Sequence, residues 1–295
     1  MVYRLFRGLL LIGILISPMA IADMYQQRPA IRIGVLSFDD INKDIYRWQP
    51  TIDYLNQRFP QYQFTLVIGD IKSIDQLVSS ETIDFAITNG VKFLMYQNQH
   101  EVVRMLNLKR LHADPQFAIG STVIARSDIP DITNWNEIRD KNIIATTPQA
   151  FGGFQIIKRE WLKSGIDPIR DFPYLRFVGL PQESLLSQLA NREADIAILP
   201  TCVLEQAIKS GHFSPGQFKV LDIYPQTTLP CQSSTPLYPY WTLSRMKHVH
   251  EQLASEIAQA LLSIKSDDVP AVQGNYQGWT VPINDSSIIG LITDL

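Results

Sequence analysis

The sequence predicts an α/β protein made of two similar lobes, and three observations carry this prediction. Short apolar segments with strand character alternate with amphipathic helical segments along the chain, which is typical of sheets covered by helices. A weak internal repeat places Gln76 eight residues before Asp84 and Gln188 seven residues before Asp195, at points where a helix should end and a core strand begin. The 295 residues suffice for two ordinary domains, each with its own core.

The predicted elements follow one another in a regular order. In the first half, strands are predicted at residues 31–36, 64–68 and 84–88, and a helix is predicted to begin at Trp48. In the second half, strands are predicted at residues 142–145 and 195–199, with a helix over residues 154–163 that is closed by Gly165. Towards the C terminus, the apolar positions 253, 257, 260, 261 and 264 share one helical face, and residues 278–282 are extended.

This order divides the chain into three parts. Residues 23–122 are expected to form the first part of lobe I, and residues 123–235 are expected to form lobe II. Residues 236–295 then return to lobe I with a C-terminal helix and tail. The two crossovers would make a hinge, and a ligand cleft would lie between the lobes.

Residues 1–22 have the features of a cleaved signal peptide. Arg4 and Arg7 supply the positive charge, residues 9–16 form the apolar region, and residues 20–22 form a small-x-small cleavage signal. Eight apolar residues are too few to span a bilayer, which needs about 20. We therefore expect export to an oxidising compartment, most simply the bacterial periplasm.

Composition and motif searches exclude several classes of function. The formal charge of −3 argues against nucleic acid as a partner, because phosphate binding needs a basic face. Two cysteines are too few for a disulfide-dense scaffold or a four-thiolate zinc site. The five histidines lack HExxH spacing, and neither a GxSxG elbow nor a phosphate-binding P-loop is present. We therefore expect a protein that is not an enzyme and has no cofactor and no metal site.

Residues 145–154 form the most informative local segment, because they follow a strand and open a helix. The free backbone N–H groups and partial positive charge of a helix N terminus suit an anion. Gly152 and Gly153 permit close approach of the ligand to the backbone. The alternative interpretation is an ordinary capped strand-to-helix turn.

Two further segments lie where a cleft is expected. Thr88 and Asn89 follow a core strand, and ligands of open α/β sheets lie beyond the carboxyl ends of strands; an Asn-Gly turn is the alternative. Tyr238 and Trp241 belong to an aromatic stretch where the chain should recross. This stretch would either wall the cleft or form a stiff hinge.

Cys202 and Cys231 allow two interpretations. In a periplasm two cysteines more often pair than not, and closing a loop of about 30 residues would stabilise the fold by roughly 3.6 kcal/mol. The alternative is a free thiol that responds to redox state.

The order and spacing of several segments together resemble the phosphonate-binding-like family of periplasmic solute-binding proteins. Within that family they are most similar to the periplasmic sensor region of tetrathionate sensor kinases. The matching segments are residues 34–35, 48–50, 83–89, 150–154, 158–160, 165–168, 177–179, 194–195, 234–239 and 278–282.

The resemblance implies a type II periplasmic binding protein fold whose two α/β lobes close on a small ligand, without catalysis. The residues that it places around the ligand are Thr88, Asn89, Thr147, Gln149, Phe151, Gly152, Gly153, Thr201, Tyr238 and Trp241. It further implies a ligand that is an oxyanion of the tetrathionate or phosphonate type.

The sequence departs from the sensor pattern at three places. Residues 90–93 replace a Pro-Gly-His-Tyr run, Pro200 stands where an arginine is common, and Tyr240 stands where a glutamate is common. The loss of a cleft arginine would remove a bidentate anion partner. These departures indicate a ligand other than tetrathionate, which could even be uncharged.

Two partners fit this resemblance. In the first interpretation, the closed state is presented to a membrane histidine kinase. In the second, the protein delivers its ligand to the permease of an ABC importer. The chain ends at Leu295 without a membrane helix or kinase signature, so the sequence predicts either a separate membrane partner or a truncated sensor.

Overall fold

The computed structural model describes residues 28–295, so the signal peptide predicted for residues 1–22 lies outside the described residues. The strands are β1 (Ala30–Leu36), β2 (Gln63–Gly69), β3 (Phe85–Thr88), β4 (Val103–Arg110), β5 (Ser121–Arg126), β6 (Ile143–Ala145), β7 (Leu175–Phe177), β8 (Ile196–Pro200), β9 (Phe218–Val220), β10 (Thr242–Arg245) and β11 (Tyr276–Thr280). The helices are α1 (Ile41–Arg58), α2 (Ile71–Ser79), α3 (Gly90–His100), α4 (Ile156–Lys163), α5 (Pro168–Asp171), α6 (Ser184–Ala190), α7 (Val203–Lys209), α8 (Glu251–Leu262), α9 (Val269–Gly274) and α10 (Ser286–Asp294).

The strands form two separate sheets, one in each lobe. The sheet of lobe I has the order β11-β4-β10-β3-β1-β2, and the sheet of lobe II has the order β7-β6-β8-β5-β9. The chain leaves lobe I between β4 and β5 and returns between β9 and β10. An antiparallel bridge between Ile119 and Tyr238 joins the two crossovers. The predicted α/β fold with two lobes and a two-crossover hinge is confirmed.

The sheet of lobe II is covered on both faces, as alternation of side chains along a strand requires. Val123 packs into one apolar cluster and its neighbour Ile124 into the other. Ile143 and Ile144 on β6 divide in the same way. The core of lobe I is a single larger cluster around β1, β3 and β10.

The internal repeat corresponds to a repeated structural device. The Asp84 carboxylate accepts a hydrogen bond from the backbone N–H of Arg32 (2.6 Å), and the Asp84 N–H donates to the Arg32 carbonyl (2.9 Å). In lobe II, Asp195 makes both bonds with Asn142, each at 2.9 Å. In both lobes, the aspartate therefore joins the strand that follows it to the neighbouring parallel strand through two hydrogen bonds.

Helix α1 begins seven residues before the predicted position at Trp48. Asp40 caps its N terminus, since the side chain accepts from the backbone N–H groups of Asn42 and Lys43. Pro50 lies inside the helix rather than in its first turn. The preference of proline for a first turn misled the sequence prediction here.

The C-terminal helix α10 contacts α3 of lobe I and α4 of lobe II. On the lobe I side, Ile288 is fully buried and approaches Gly90 so closely that a Cβ there would lie 2.2 Å from the Ile288 Cδ1. On the lobe II side, Arg159 donates to the Asp294 carboxylate (2.7 Å) and to the Tyr238 hydroxyl (2.7 Å). Within residues 28–295, no helix is long and apolar enough to cross a membrane.

Candidate functional site

A cavity of about 600 Å³ lies between the lobes, next to the two crossovers. Residues from both lobes line it. The polar and aromatic side chains of its wall are Phe38, Asp39, Asp44, Arg47, Asn89, Arg110, His112, Phe151, Gln182, Thr201, Glu205, Gln206, Lys209, Tyr240, Trp241 and Asn275. A small-molecule site of this size is typical of binding proteins.

Arg47 on α1 supplies one positive charge to the cavity. Its Nε donates to the Gly274 carbonyl (3.1 Å). Its guanidinium carbon lies 5.0 Å from the ring centre of Trp48 and 5.9 Å from that of Trp241. Cation–π contacts and one carbonyl therefore orient this group, and no carboxylate lies within salt-bridge distance of it among the described residues.

Arg110, at the end of β4, supplies the second positive charge. Its guanidinium donates to the carbonyls of Ala118 (2.8 Å) and Thr201 (3.1 Å), so it holds the first crossover against lobe II. Its carbon atom Cζ lies 5.3 Å from the ring centre of Tyr240. Burial raises the pKa of the Tyr240 hydroxyl, but Arg47 and Arg110 outweigh it and the pKa is lowered overall.

Three carboxylates share the cavity with these cations: Asp39, Asp44 and Glu205. Glu205 accepts from the backbone N–H of Gln232 at 2.9 Å. Asp44 accepts from the Ser37 hydroxyl, and burial raises its pKa. Asp39 accepts from the Gln182 amide of lobe II (3.2 Å), and burial raises its pKa to about 6.

Lobe II presents backbone and small residues to the cavity at the start of its first long helix. A π-helical turn, Phe151–Gln155, precedes α4, and Phe151, Gly152 and Gly153 line the cavity. The Ser121 hydroxyl holds the Gly152 carbonyl at 2.7 Å. A Cβ on Gly152 would lie 3.2 Å from the Gly120 carbonyl oxygen and 3.1 Å from the Pro200 Cβ, so this approach requires glycine.

Asn89 caps α3 and also lines the cavity. Its Oδ1 accepts from the backbone N–H of Lys92 at 3.0 Å. Its Nδ2 is buried and has no hydrogen-bond partner among residues 28–295. A buried amide without a partner is costly, so this donor is suited to a ligand.

Two interactions fasten the lobes together at the mouth of the cleft. The backbone N–H of Gln182 donates to the Phe38 carbonyl (3.2 Å), beside its side-chain bond to Asp39. Lys43 on α1 pairs with Glu183 of lobe II. The structure therefore represents a state with the lobes in contact.

Cys202 and Cys231 form a disulfide with their Cα atoms 5.2 Å apart. Both residues line the cavity, and both are buried. The disulfide ties the turn after β8 to the second crossover, so one wall of the cavity is covalently fixed to the hinge.

The structure brings six of the ten residues expected to contact ligand to the cavity wall. These are Asn89, Phe151, Gly152, Gly153, Thr201 and Trp241. Thr201 is largely committed to the hinge, because its hydroxyl accepts from the backbone N–H of Gly120 (3.2 Å).

The other four residues lie elsewhere. Thr88 is fully buried behind the wall, and Tyr238 points towards Arg159 instead. Thr147 and Gln149 line a second interlobe cavity of about 730 Å³, which Phe38 also borders.

Sequence reasoning missed the charged residues of the site. Pro200, where an arginine was expected, does line the cavity, but Arg47 and Arg110 bring guanidinium groups to it from lobe I. No sequence signal marked Arg47, Arg110 or Asp39 as residues of one site. The described residues contain no group of three or more His, Cys, Asp or Glu side chains suited to a metal.

Two lobes, a two-crossover hinge and a polar interlobe cavity define a substrate-binding protein of the periplasmic type rather than an enzyme. The sequence model of the family described as "ABC transporter, phosphonate, periplasmic substrate-binding protein" matches residues 33–287. The chain belongs to this family, and the resemblance noted from the sequence is confirmed.

One curated relative is a sensor. The chain is 31% identical over 266 residues to the tetrathionate sensor histidine kinase TtrS of Salmonella typhimurium, which covers 89% of this chain. It spans 43% of that kinase, less than half its length.

Solved structures show the same fold. A binding protein component of an ABC phosphonate transporter from Pseudomonas aeruginosa superposes with a TM-score of 0.73 at 15% identity, covering 90% of this chain and 86% of that one. PhnD1 from Prochlorococcus marinus, solved in complex with methylphosphonate, gives a TM-score of 0.73 at 10% identity, with 91% and 100% covered.

Proposed function

We propose that this protein is a periplasmic binding protein that closes its lobes on a small anion of the phosphonate or tetrathionate type. The observation that carries the proposal is the pair Arg47 and Arg110, whose guanidinium groups line one cavity with the unpartnered Asn89 amide. The first turn of the helix that begins at Phe151 faces them across the cleft. Charge-assisted hydrogen bonds of this kind are the strong ones.

The proposed partner is a membrane histidine kinase that responds to the closed state. The similarity to TtrS over 89% of this chain supports a sensory role, because closure on a ligand shifts a two-state equilibrium that a partner can read. The alternative is a substrate receptor of a phosphonate-type ABC importer. The family description favours that alternative.

Ligand binding is tested by thermal shift and calorimetry on the purified protein. The panel contains tetrathionate, thiosulfate, sulfate, phosphate and methylphosphonate. A ligand at 100 times its dissociation constant adds about 2.7 kcal/mol to the free energy of unfolding, which is easily measured. If no member of the panel shifts the midpoint, the anion proposal is wrong.

The partner is tested in the host by deleting the gene. Loss of the transcriptional response to a binding anion, with uptake unchanged, would support the sensor. Loss of growth on a phosphonate as sole phosphorus source would support the importer instead.

A further inference from the structure

The charges around the cavity do not form a simple anion receptor. Arg47 and Arg110 line it together with Asp39, Asp44 and Glu205. A fully deprotonated anion would gain attraction from the two guanidinium groups and suffer repulsion from the three carboxylates. The cavity therefore suits a ligand that presents more than negative charge.

Asp39 and Glu205 both line the cavity with a buried carboxylate oxygen that has no hydrogen-bond partner among residues 28–295. The charge of Asp39 acts on Arg47 and Tyr240, so Asp39 is the carboxylate that lies with the cationic groups of the cavity. One carboxylate oxygen, Oδ2, accepts from the Gln182 side chain at 3.2 Å. The other, Oδ1, is buried and has no hydrogen-bond partner among the residues that the structure describes. A buried carboxylate oxygen without a donor is costly, and a donor on the ligand would remove that cost.

The surroundings of Asp39 offer no substitute donor of their own. Lys43, the nearest cation on α1, is engaged by Glu183. Asp44 is acidic and is already occupied by the Ser37 hydroxyl. Burial, followed by the charges of Glu183 and Asp44, raises the pKa of Asp39.

Resting on the function proposed above, we propose that the ligand is an anion that also carries a hydrogen-bond donor, either an acidic P–OH or an ammonium group, which it donates to Asp39. Arg47 and Arg110 bind the anionic oxygens, and Asp39 accepts the donor. Asp39 thereby discriminates against anions that have no proton to donate, in the way that a site built to hydrogen-bond a substrate group rejects the analogue without it.

Two matched ligand pairs test this proposal and separate the two sources of the donor. Methylphosphonate and methanesulfonate have nearly the same shape, but near neutral pH, where the Asp39 carboxyl with its pKa of about 6 is ionised, only the monoanion of methylphosphonate carries a P–OH group. Taurine and ethanesulfonate differ by an ammonium group. Calorimetry on the wild-type protein should show one donor-bearing member binding at least about tenfold more tightly than its partner, and the pair that shows it identifies the donor.

The variant Asp39→Asn tests the assignment to this residue. The asparagine side chain carries no negative charge, so the ligand without a donor in each pair should bind more tightly than it does to the wild type. The preference for the donor-bearing ligand should then fall to about threefold or less. Asp53→Asn is the matched control, since Asp53 lies on the exposed face of α1, the helix that begins two residues after Asp39; it should keep the preference. The wild-type comparison stands by itself should the Asp39 variant fold poorly.

The outcomes distinguish this inference from the proposed function. If methanesulfonate or tetrathionate binds the wild type as tightly as the donor-bearing ligands, the cleft is an anion site and the role of Asp39 is wrong. A preference that survives in Asp39→Asn also overturns that role. If no anion of either pair or of the earlier panel binds, the proposed function fails and this inference fails with it.

Discussion

The two lobes contribute different kinds of chemical groups to the cleft. Lobe I contributes long charged and aromatic side chains, Arg47, Arg110, Asp39 and Tyr240, whereas the start of α4 in lobe II contributes backbone and glycines. The side chains of lobe I are positioned by cation–π contacts and single hydrogen bonds. The wall of lobe II is fixed by a disulfide and by close backbone packing. Gln182, Glu205 and Lys209 of lobe II also line the cavity, but both guanidinium groups come from lobe I. We therefore expect lobe I to carry most of the selectivity and the start of α4 to supply a rigid surface that closes on it.

The largest expected effect concerns the rigidity of lobe II. In Cys202→Ala with Cys231→Ala, removal of a link across a sequence separation of 29 should lower the free energy of unfolding by about 3.6 kcal/mol, because the unfolded chain regains loop entropy. Urea unfolding with and without reductant measures this effect, and reduced wild type should match the variant. A loss below about 1 kcal/mol would mean that other contacts fix this wall.

Arg47→Met tests the contribution of lobe I to anion affinity. Loss of one charge-assisted hydrogen bond, worth about 1.5–3 kcal/mol, should weaken binding of the preferred anion by roughly 10- to 150-fold. Arg58→Met removes a charge from the exposed end of the same helix and should change the dissociation constant little. Calorimetry on both variants decides, and equal affinities would remove Arg47 from the site.

Asp39 on lobe I should make the free energy of unfolding depend on pH. Burial raises the Asp39 pKa to about 6, with Glu183 and Asp44 adding to it and Lys43 and Gln182 opposing it. The folded state therefore holds this proton more tightly than the unfolded chain, and ionisation costs stability as the pH rises through about 6. Asp39→Asn should be more stable than wild type by about 3 kcal/mol at neutral pH.

This gain should vanish below the ordinary carboxyl pKa of 3.8, where Asp39 is protonated in both states. Unfolding midpoints of the ligand-free proteins across this range measure it. A constant difference at all pH values would show that the effect of the substitution is not electrostatic.

The close packing of lobe II is tested by Gly152→Ala. The added Cβ would press on the Gly120 carbonyl oxygen at 3.2 Å and on Pro200 at 3.1 Å, so we expect a loss of about 1–2 kcal/mol in stability together with weaker binding. Gly153→Ala would meet only side-chain atoms below 3.4 Å and should be milder. An equal effect at both glycines would contradict the special role of Gly152.

The smallest effect is expected where the two faces meet at the surface. Glu183→Gln breaks the pair with Lys43, whose side chains are 43% and 55% exposed. Exposed pairs contribute about 0.2–1 kcal/mol, so the dissociation constant should rise no more than about fivefold, and high salt should remove the difference. A larger change would mean that this pair controls closure.

The fold and half of the site could be predicted from the sequence for physical reasons. The alternation of side chains along a strand and the repeated aspartate both reflect local backbone structure, which the sequence determines directly. Asp84 and Asp195 accept a hydrogen bond from the neighbouring strand in the same way. Gly152 and Gly153 could be recognised as site residues because the first backbone N–H groups of any helix are free to donate, independently of tertiary packing.

The charged half of the site could not be predicted. Arg47, Arg110 and Asp39 are single charged residues in elements far apart in sequence, and such residues usually lie on solvated surfaces. Only the folded arrangement brings α1, the segment before it and the end of β4 to one cavity. Thr147 and Gln149 failed to reach that cavity for the opposite reason, because a residue can lie near a helix N terminus and still point into a different opening.

Arg110 gives the hinge a mechanical property. Its guanidinium fastens the first crossover to Thr201 of lobe II through two carbonyl contacts, and the same group lines the cavity. These hydrogen bonds oppose separation of the lobes, and they therefore lie within the candidate site itself. Arg110 therefore couples the charge of the cavity to the opening motion, and Asp39 does the same through its bond to Gln182 of lobe II. Substitutions meant to change ligand preference without altering that motion are better placed at Arg47, whose hydrogen bond to Gly274 lies within lobe I.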